Sequence, residues 1–228
     1  MLIAADADRW VGPQLDGDRL VVIAPHPDDE VLQAGGLIRW WAGTGRPVTV
    51  VAVTDGEASH AQSLRIDAPT LRARRAAERE AALAELAPQP VTVVRLGQPD
   101  QGCSARRREI TRALRQVLTT TDVVVGPAIE DRHPDHVAVA RALRAAGAGI
   151  VAAVWESPTW ALVHGTAPPP STVLTLGRQT WLAKQRAVQQ YGSQLAALGP
   201  AHVDGPVVHP HELAAMVRPS EQFAQVRT

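Results

Sequence analysis

Six short apolar runs rich in β-branched residues recur along the chain: LVVIAP (20–25), VTVVAV (48–53), VTVVRL (91–96), DVVVGPAI (122–129), IVAAVWE (150–156) and TVLTL (172–176). Each is continuous rather than alternating, and Gly, Pro or Asp bounds it. Strands covered on both faces read this way, because neither side of the pleat faces water. Between the runs, apolar residues return at helical spacing. Val31, Ala34, Gly35, Ile38 and Trp41 or Ala42 share one side of 31–42; Leu71, Leu83 and Leu86 mark 70–86; Ile110, Leu114, Val117 and Leu118 mark 105–118. A further helix follows His136, with Val139 and Leu143 on its buried side. Strand alternating with helix predicts an α/β architecture, a doubly wound, mostly parallel sheet with helices on both faces.

After residue 156 the pattern changes. A Pro-rich loop, GTAPPPS (165–171), leads to a short strand and a helix from about 178 to 198. The last thirty residues, with Pro206, Pro210 and Pro219, predict a wrapped extension with one short helix. The whole of 1–228 is expected to be one domain, with a core over about 18–156 and an extension over about 157–228. A chain of this length buries about 70% of its unfolded surface, so neither a disulfide nor a metal is needed for stability. Cys103 is the single cysteine, which excludes a disulfide framework and a cysteine-based zinc site.

The 23 basic and 23 acidic residues cancel. RARR (72–75) and RRR (106–108) are short and read as solvated helix faces, so neither nucleic acid nor an anionic membrane surface is expected as a partner. The start, MLIAADADRW, lacks a basic segment followed by an apolar core, and no apolar run approaches a membrane span. A soluble, cytoplasmic protein is the expectation, with self-association left open.

In an open α/β sheet, ligands bind beyond the carboxyl ends of the strands. The first run ends in PHPDDE, which places His26 at that edge and Asp28, Asp29 and Glu30 in the first turn of the next helix. Carboxylates there complement the helix dipole, worth about 0.3–1 kcal/mol each. A second cluster argues for more than that. DVVVGPAI is followed by EDRHPDH (130–136), again leading into a helix. His26 with Asp29, and His133 with His136, are i, i+3 pairs able to share one side of a helical turn. Imidazole and carboxylate together suit borderline divalent metals, and a catalytic zinc takes three protein ligands and keeps one position open.

PHPDDE followed by GG, with HPDH further on, resembles the PIG-L/LmbE-like deacetylase superfamily, metal-dependent enzymes that remove N-acyl groups from amino sugars and related small molecules. VTDGE (53–57), RAAEREAA (75–82), LGQPDQG (96–102), KQRAVQQYGSQ (184–194) and SEQFAQV (220–226) are similar to further family segments. Two positions depart from its pattern: Gln101 stands where glycine is usual, and Tyr191 where histidine is usual. The resemblance implies a Rossmann-like fold and a zinc site, with ferrous iron as the alternative ion, held by His26, Asp29 and His136. It implies Asp28 as general base, His133 as the oxyanion partner kept protonated and oriented by Asp135, and Arg75 and Asp100 as contacts to a polar substrate. The leaving amine takes its proton from Asp28 or His133. Glu30 supports the helix start or orients a ligand.

Other residues divide between packing and substrate contact. Arg75 with Glu78 also reads as an exposed helix ion pair; Tyr191 reads as packing or as a hydrogen bond to an intermediate; Ser193 and Gln194 are expected to fix their helix against the strand loops. Trp155 and Trp160 bracket a strand end, where they either fill the core or stack on a sugar. The remaining histidines (His60, His164, His202, His209 and His211) could in principle offer a different site, but HPH (209–211) stands in a tail without an acid pair nearby, and surface or loop placement is expected. The activity expected is metal-dependent removal of an N-acyl group, acetyl in the simplest case, from a small N-acylated amino sugar or similar polar molecule. Amide hydrolysis of a larger conjugate and a non-catalytic small-molecule-binding paralogue are the competing readings. No G-x-G-x-x-G follows the first run, which counts against dinucleotide binding.

Overall fold

A computed structural model describes residues 7–151, 153–199 and 201–227, with the side chains of 201, 202 and 227 left out. The start of the chain at 1–6, residue 152 and the His202 side chain therefore lie outside the described residues. In chain order the elements are β1 (Arg9–Val11), β2 (Arg19–Ala24), α1 (Asp29–Ala42), β3 (Val48–Thr54), α2 (Ala68–Leu86), β4 (Thr92–Gln98), α3 (Cys103–Val117), β5 (Asp122–Pro127) and α4 (Pro134–Gly147). They continue as β6 (Ala153–Ser157), α5 (Trp160–Val163), β7 (Thr172–Thr175), α6 (Arg178–Gln189), α7 (Gly192–Leu195), α8 (Ala201–Asp204), α9 (Pro210–Met216) and β8 (Ser220–Arg227).

The strands form one sheet in the order β1-β7-β8-β6-β5-β2-β3-β4. From β6 to β4 every pairing is parallel, and β8, β7 and β1 extend that core as an antiparallel wing. The fold is Rossmann-like and doubly wound. The period of two along β2 divides its side chains between two cores. Leu20, Val22 and Ala24 face Val31, Leu37, Ile38 and Trp41 of α1, while Val21 and Ile23 face Ile110, Leu114, Val139 and Leu143 of α3 and α4. Both faces are thus covered along β2, β3, β5 and β6, whereas β4, at the sheet edge, has no buried residue, although its apolar run reads like the others.

Strand order reverses between β2 and β5, which are parallel neighbours registered from Arg19↔Asp122 to Val22↔Val125. The loops leaving their carboxyl ends diverge to opposite sides there, opening a crevice at the switch point.

Three elements differ from the sequence expectation. The closing segment forms β8, inserted between β6 and β7, where a wrapped extension was expected. The helix expected over 178–198 is α6 and α7, broken at Gln190 and Tyr191. Helix α1 is two pieces, because Ala34 has φ −146° and ψ 21°. The break is healed from outside. Glu221 on β8 accepts from the Gly36 and Leu37 N–H groups at 2.6 and 2.9 Å, and Lys184 of α6 donates to the Leu32 carbonyl at 3.1 Å and to Glu221 at 2.6 Å. A Cβ at Gly36 would collide with the Leu176 side chain and crowd the Glu221 carboxyl, so the packing against the break favours glycine there. Among the described residues, no helix is long and apolar enough to cross a membrane.

Candidate metal centre

Strand β2 ends at Ala24, and two residues later His26 emerges at the crevice. Asp28 is the N-cap of α1 rather than a first-turn residue, with φ 131°, a region that side chains other than glycine rarely enter. Such backbone costs on the order of 1–3 kcal/mol and persists only when its surroundings over-determine it. Here they do. Arg75 Nη2 donates to the Pro27 carbonyl at 2.5 Å and Nη1 to the Gly56 carbonyl at 3.0 Å. The Asp28 N–H donates to Glu30 Oε2 at 3.3 Å, and Tyr191 donates its hydroxyl proton to Glu30 Oε1 at 2.7 Å. Gly56 has φ +69° and lies so close to the Arg75 guanidinium that a Cβ would collide with it.

The second loop, after β5, brings His133 as the N-cap of α4, with Pro134 at its start. Asp29 joins the two loops: its Oδ2 lies 3.2 Å from His26 Nδ1 and 3.1 Å from His136 Nε2. Ring nitrogens of His26, His133 and His136 lie within 4.8 Å of one another, and His26, Asp100 and Asp135 form a second such group. His136 is fully buried; its Nδ1 faces Asp131 Oδ2 at 2.9 Å, while Nε2 faces Asp29 Oδ2 at 3.1 Å without the alignment of a hydrogen bond. A buried imidazole nitrogen aimed at a carboxylate oxygen that also faces a second imidazole fits a divalent cation of the zinc type.

Electrostatics agree with a site made for positive charge. Burial raises Asp28, and Asp29 and Glu30 add to the rise against Arg75 and His26, to about 7. Burial opposes ionisation of Asp29, yet His136 and His26 hold it well below the usual carboxylate range. Burial lowers His136, but Asp29 and Asp131 outweigh it and bring the ring to about 9.

All eight residues singled out for the site gather at this crevice. His26, Asp28, Asp29, Arg75, Asp100 and His133 line a cleft of about 170 Å³ together with Leu32, Trp160 and Gln194, while Asp135 and His136 lie buried behind it. Three expectations need correction. The Asp135 carboxylate does not orient His133: it lies 3.3 Å from His26 Nε2 and accepts from the Gln101 and Cys103 N–H groups at 2.7 and 3.1 Å. Only the Asp135 peptide N–H meets His133, donating to Nδ1 at 3.3 Å. Nor is His133 held protonated in this arrangement; burial together with His26 and His136 lowers it to about 4. Finally, Arg75 makes no exposed pair with Glu78. It is 2% exposed, and its guanidinium lies 3.4 Å from Asp28 Oδ2, while Glu78 pairs with Arg74 and Ser193.

Asp100 combines two contacts, 3.3 Å from His26 Nε2 and 2.9 Å from the Ala58 N–H that donates to it. Gln101, where glycine is usual, has φ 63°, the left-handed conformation that favours glycine. Trp160 lines the cleft, whereas Trp155 packs edge-on against Trp10 in the core. Tyr191 is buried behind Glu30, and His60 is buried against Ser59 and Gly205. One residue escaped the sequence reading: Asp131, five positions before His136 and fully buried against its ring.

The family model for PIG-L, described as GlcNAc-PI de-N-acetylase, matches residues 21–147. No curated protein matches the chain. Several solved structures do. The N,N'-diacetylchitobiose deacetylase from Pyrococcus horikoshii is 20% identical, with a TM-score of 0.69 over 93% of this chain and 85% of that one. The conserved protein TT1542 from Thermus thermophilus is 26% identical, with a TM-score of 0.63 over 91% and 94%. GalB, the 4-carboxy-2-hydroxymuconate hydratase from Pseudomonas putida KT2440, is 18% identical, with a TM-score of 0.61 over 92% and 97%.

Proposed function

The chain belongs to the PIG-L family, and from that membership we propose that it is a metal-dependent hydrolase that removes an N-acyl group, acetyl in the simplest case, from an amino sugar or a similar small polar amine. The observation that carries this reading is Asp29 Oδ2 set between His26 Nδ1 and His136 Nε2, on loops from two separate strands. His26, Asp29 and His136 would hold zinc, or ferrous iron in its place. Such an ion supplies Lewis acidity, polarising an acyl oxygen and bringing the pKa of water from about 15.7 toward 7.

The chain's own groups do the rest. Asp28 lines the cleft beside Asp29, and with its carboxyl raised to about 7 it takes a proton from water at neutral pH. His133 accepts a peptide N–H at Nδ1, so the neutral ring offers Nε2–H to the oxyanion of the tetrahedral intermediate. A neutral imidazole is a poor acid, which leaves Asp28 to return its proton to the departing amine. Arg75, Asp100 and Gln194 form a polar wall for sugar hydroxyls, and Leu32, Trp160, Val207 and Val208 an apolar wall for a ring face. The diacetylchitobiose deacetylase accords with an N-acetylated sugar; the hydratase is a reminder that the fold alone does not select the reaction.

The test is release of free amine and acetate from N-acetylglucosamine derivatives, with and without chelator. Release that chelator abolishes and zinc restores is expected. A zinc-loaded protein that releases amine from none of a broad set of N-acyl amines contradicts the proposal.

A further inference from the structure

Asp131 sits on the loop between β5 and α4, fully buried, and the contacts of its carboxylate point to two places. On one side Oδ2 lies 2.9 Å from His136 Nδ1. On the other it receives the turn between β6 and α5. The Thr159 hydroxyl donates to Oδ2 at 3.0 Å, the Thr159 N–H to Oδ1 at 3.0 Å, and the Ala161 N–H to Oδ1 at 2.8 Å. No Arg or Lys reaches it within ion-pair distance among the described residues. A buried carboxylate needs its lone pairs filled, and these four donor groups fill them. Between Thr159, the N-cap of α5, and Ala161 stands Trp160, the first residue of that helix, which lines the cleft.

We infer that Asp131 is a positioning residue that holds His136 and the Trp160 turn as one unit, so that the ring's Nε2 and the cleft wall keep a fixed relation. The inference rests on the proposed metal site. A carboxylate on one imidazole nitrogen fixes the ring's rotation, keeps a proton on that nitrogen and makes the other a stronger donor of electrons. In this chain the fixed nitrogen is Nδ1, and the nitrogen left for an ion is Nε2, which faces Asp29 Oδ2 at 3.1 Å. Four donors converging on one carboxylate also make it hard to move the ring without moving the turn. His26 is backed in a similar way, by Asp100 and Asp135 at Nε2, but neither carboxylate bonds the β6–α5 turn.

The experiment uses the full-length protein and the isosteric variant Asp131→Asn, with zinc affinity measured by competition against a chromophoric chelator and amide hydrogen exchange followed at Thr159 and Ala161. The expected result is zinc binding about 10–100-fold weaker in the variant, with faster exchange at both amides. Equal zinc affinity in the two proteins overturns the inference and leaves the site reading standing; a wild type that takes up no zinc overturns both. A second measurement requires no variant. In zinc-loaded, 15N-histidine-labelled wild type, His136 is expected to carry its ring proton on Nδ1; a proton on Nε2 with Nδ1 bare overturns the inference.

Discussion

Replacing Glu221 tests how the chain tolerates a broken helix beneath its candidate site. The break at Ala34 separates the Gly36 and Leu37 N–H groups and the Leu32 carbonyl from helical partners, and Glu221 with Lys184 supplies the substitutes. The two side chains are 2% and 1% exposed. Glu221→Ala therefore leaves a buried ammonium with a carbonyl as its only partner, and two peptide donors with none. Removing one partner of a buried pair costs about 3–5 kcal/mol, and at about 2–4 °C per kcal/mol for a chain of this size the melting temperature falls by about 6–20 °C. Lys184→Met with Glu221→Gln removes both charges and keeps an acceptor for the two N–H groups, so the double variant is expected to lose less than Glu221→Ala alone. Urea and thermal unfolding followed by circular dichroism, with chelator present to exclude stabilisation by metal, give both numbers. A loss below about 1 kcal/mol for Glu221→Ala, against the 3–5 expected for a buried pair, contradicts the role given to Glu221 and Lys184, as does a double variant less stable than the single one.

Further outcomes concern the site. Asp28→Asn keeps shape and removes basicity, so zinc content stays at the wild-type level while turnover falls by about 10²–10⁴-fold; loss of zinc would mean that Asp28 and Asp29 have been assigned the wrong tasks. His136→Ala abolishes tight zinc binding, and equal zinc content by elemental analysis would remove it from the ligand set. Because His136 stands at about 9 in the metal-free chain, its ring is protonated throughout the neutral range. Zinc must displace that proton, so binding weakens as pH falls from 9 toward 6, and calorimetry at pH 7.5 in two buffers should register at least one proton released; zero release contradicts the assignment.

The parallel core was legible because β2, β3 and β5 are buried on both faces, leaving uninterrupted apolar runs. Strand β8 was not. Its sequence SEQFAQVR is polar at five of eight positions, and the carboxylate of Glu221 reads as a surface charge until Lys184 and two peptide N–H groups are seen around it. Strand β1 has only three residues, too few to carry a pattern. At the site, spacing along two short motifs was enough to bring out the histidines and aspartates, since each motif follows a strand on the same sheet edge. Directions of side chains were a different matter. The Asp135 carboxylate turns to His26, 109 positions away, and Asp131 finds its partners in Thr159 and Ala161, 28 and 30 positions on. An acid inside EDRHPDH invites attention, yet only the fold reveals which acid stands behind which ring.

Anomalous diffraction at the zinc edge, from crystals grown with zinc, locates the ion itself. One strong peak is expected within bonding distance of His26, Asp29 and His136 together. A peak elsewhere, or none while the three side chains keep their present arrangement, would contradict that ligand set.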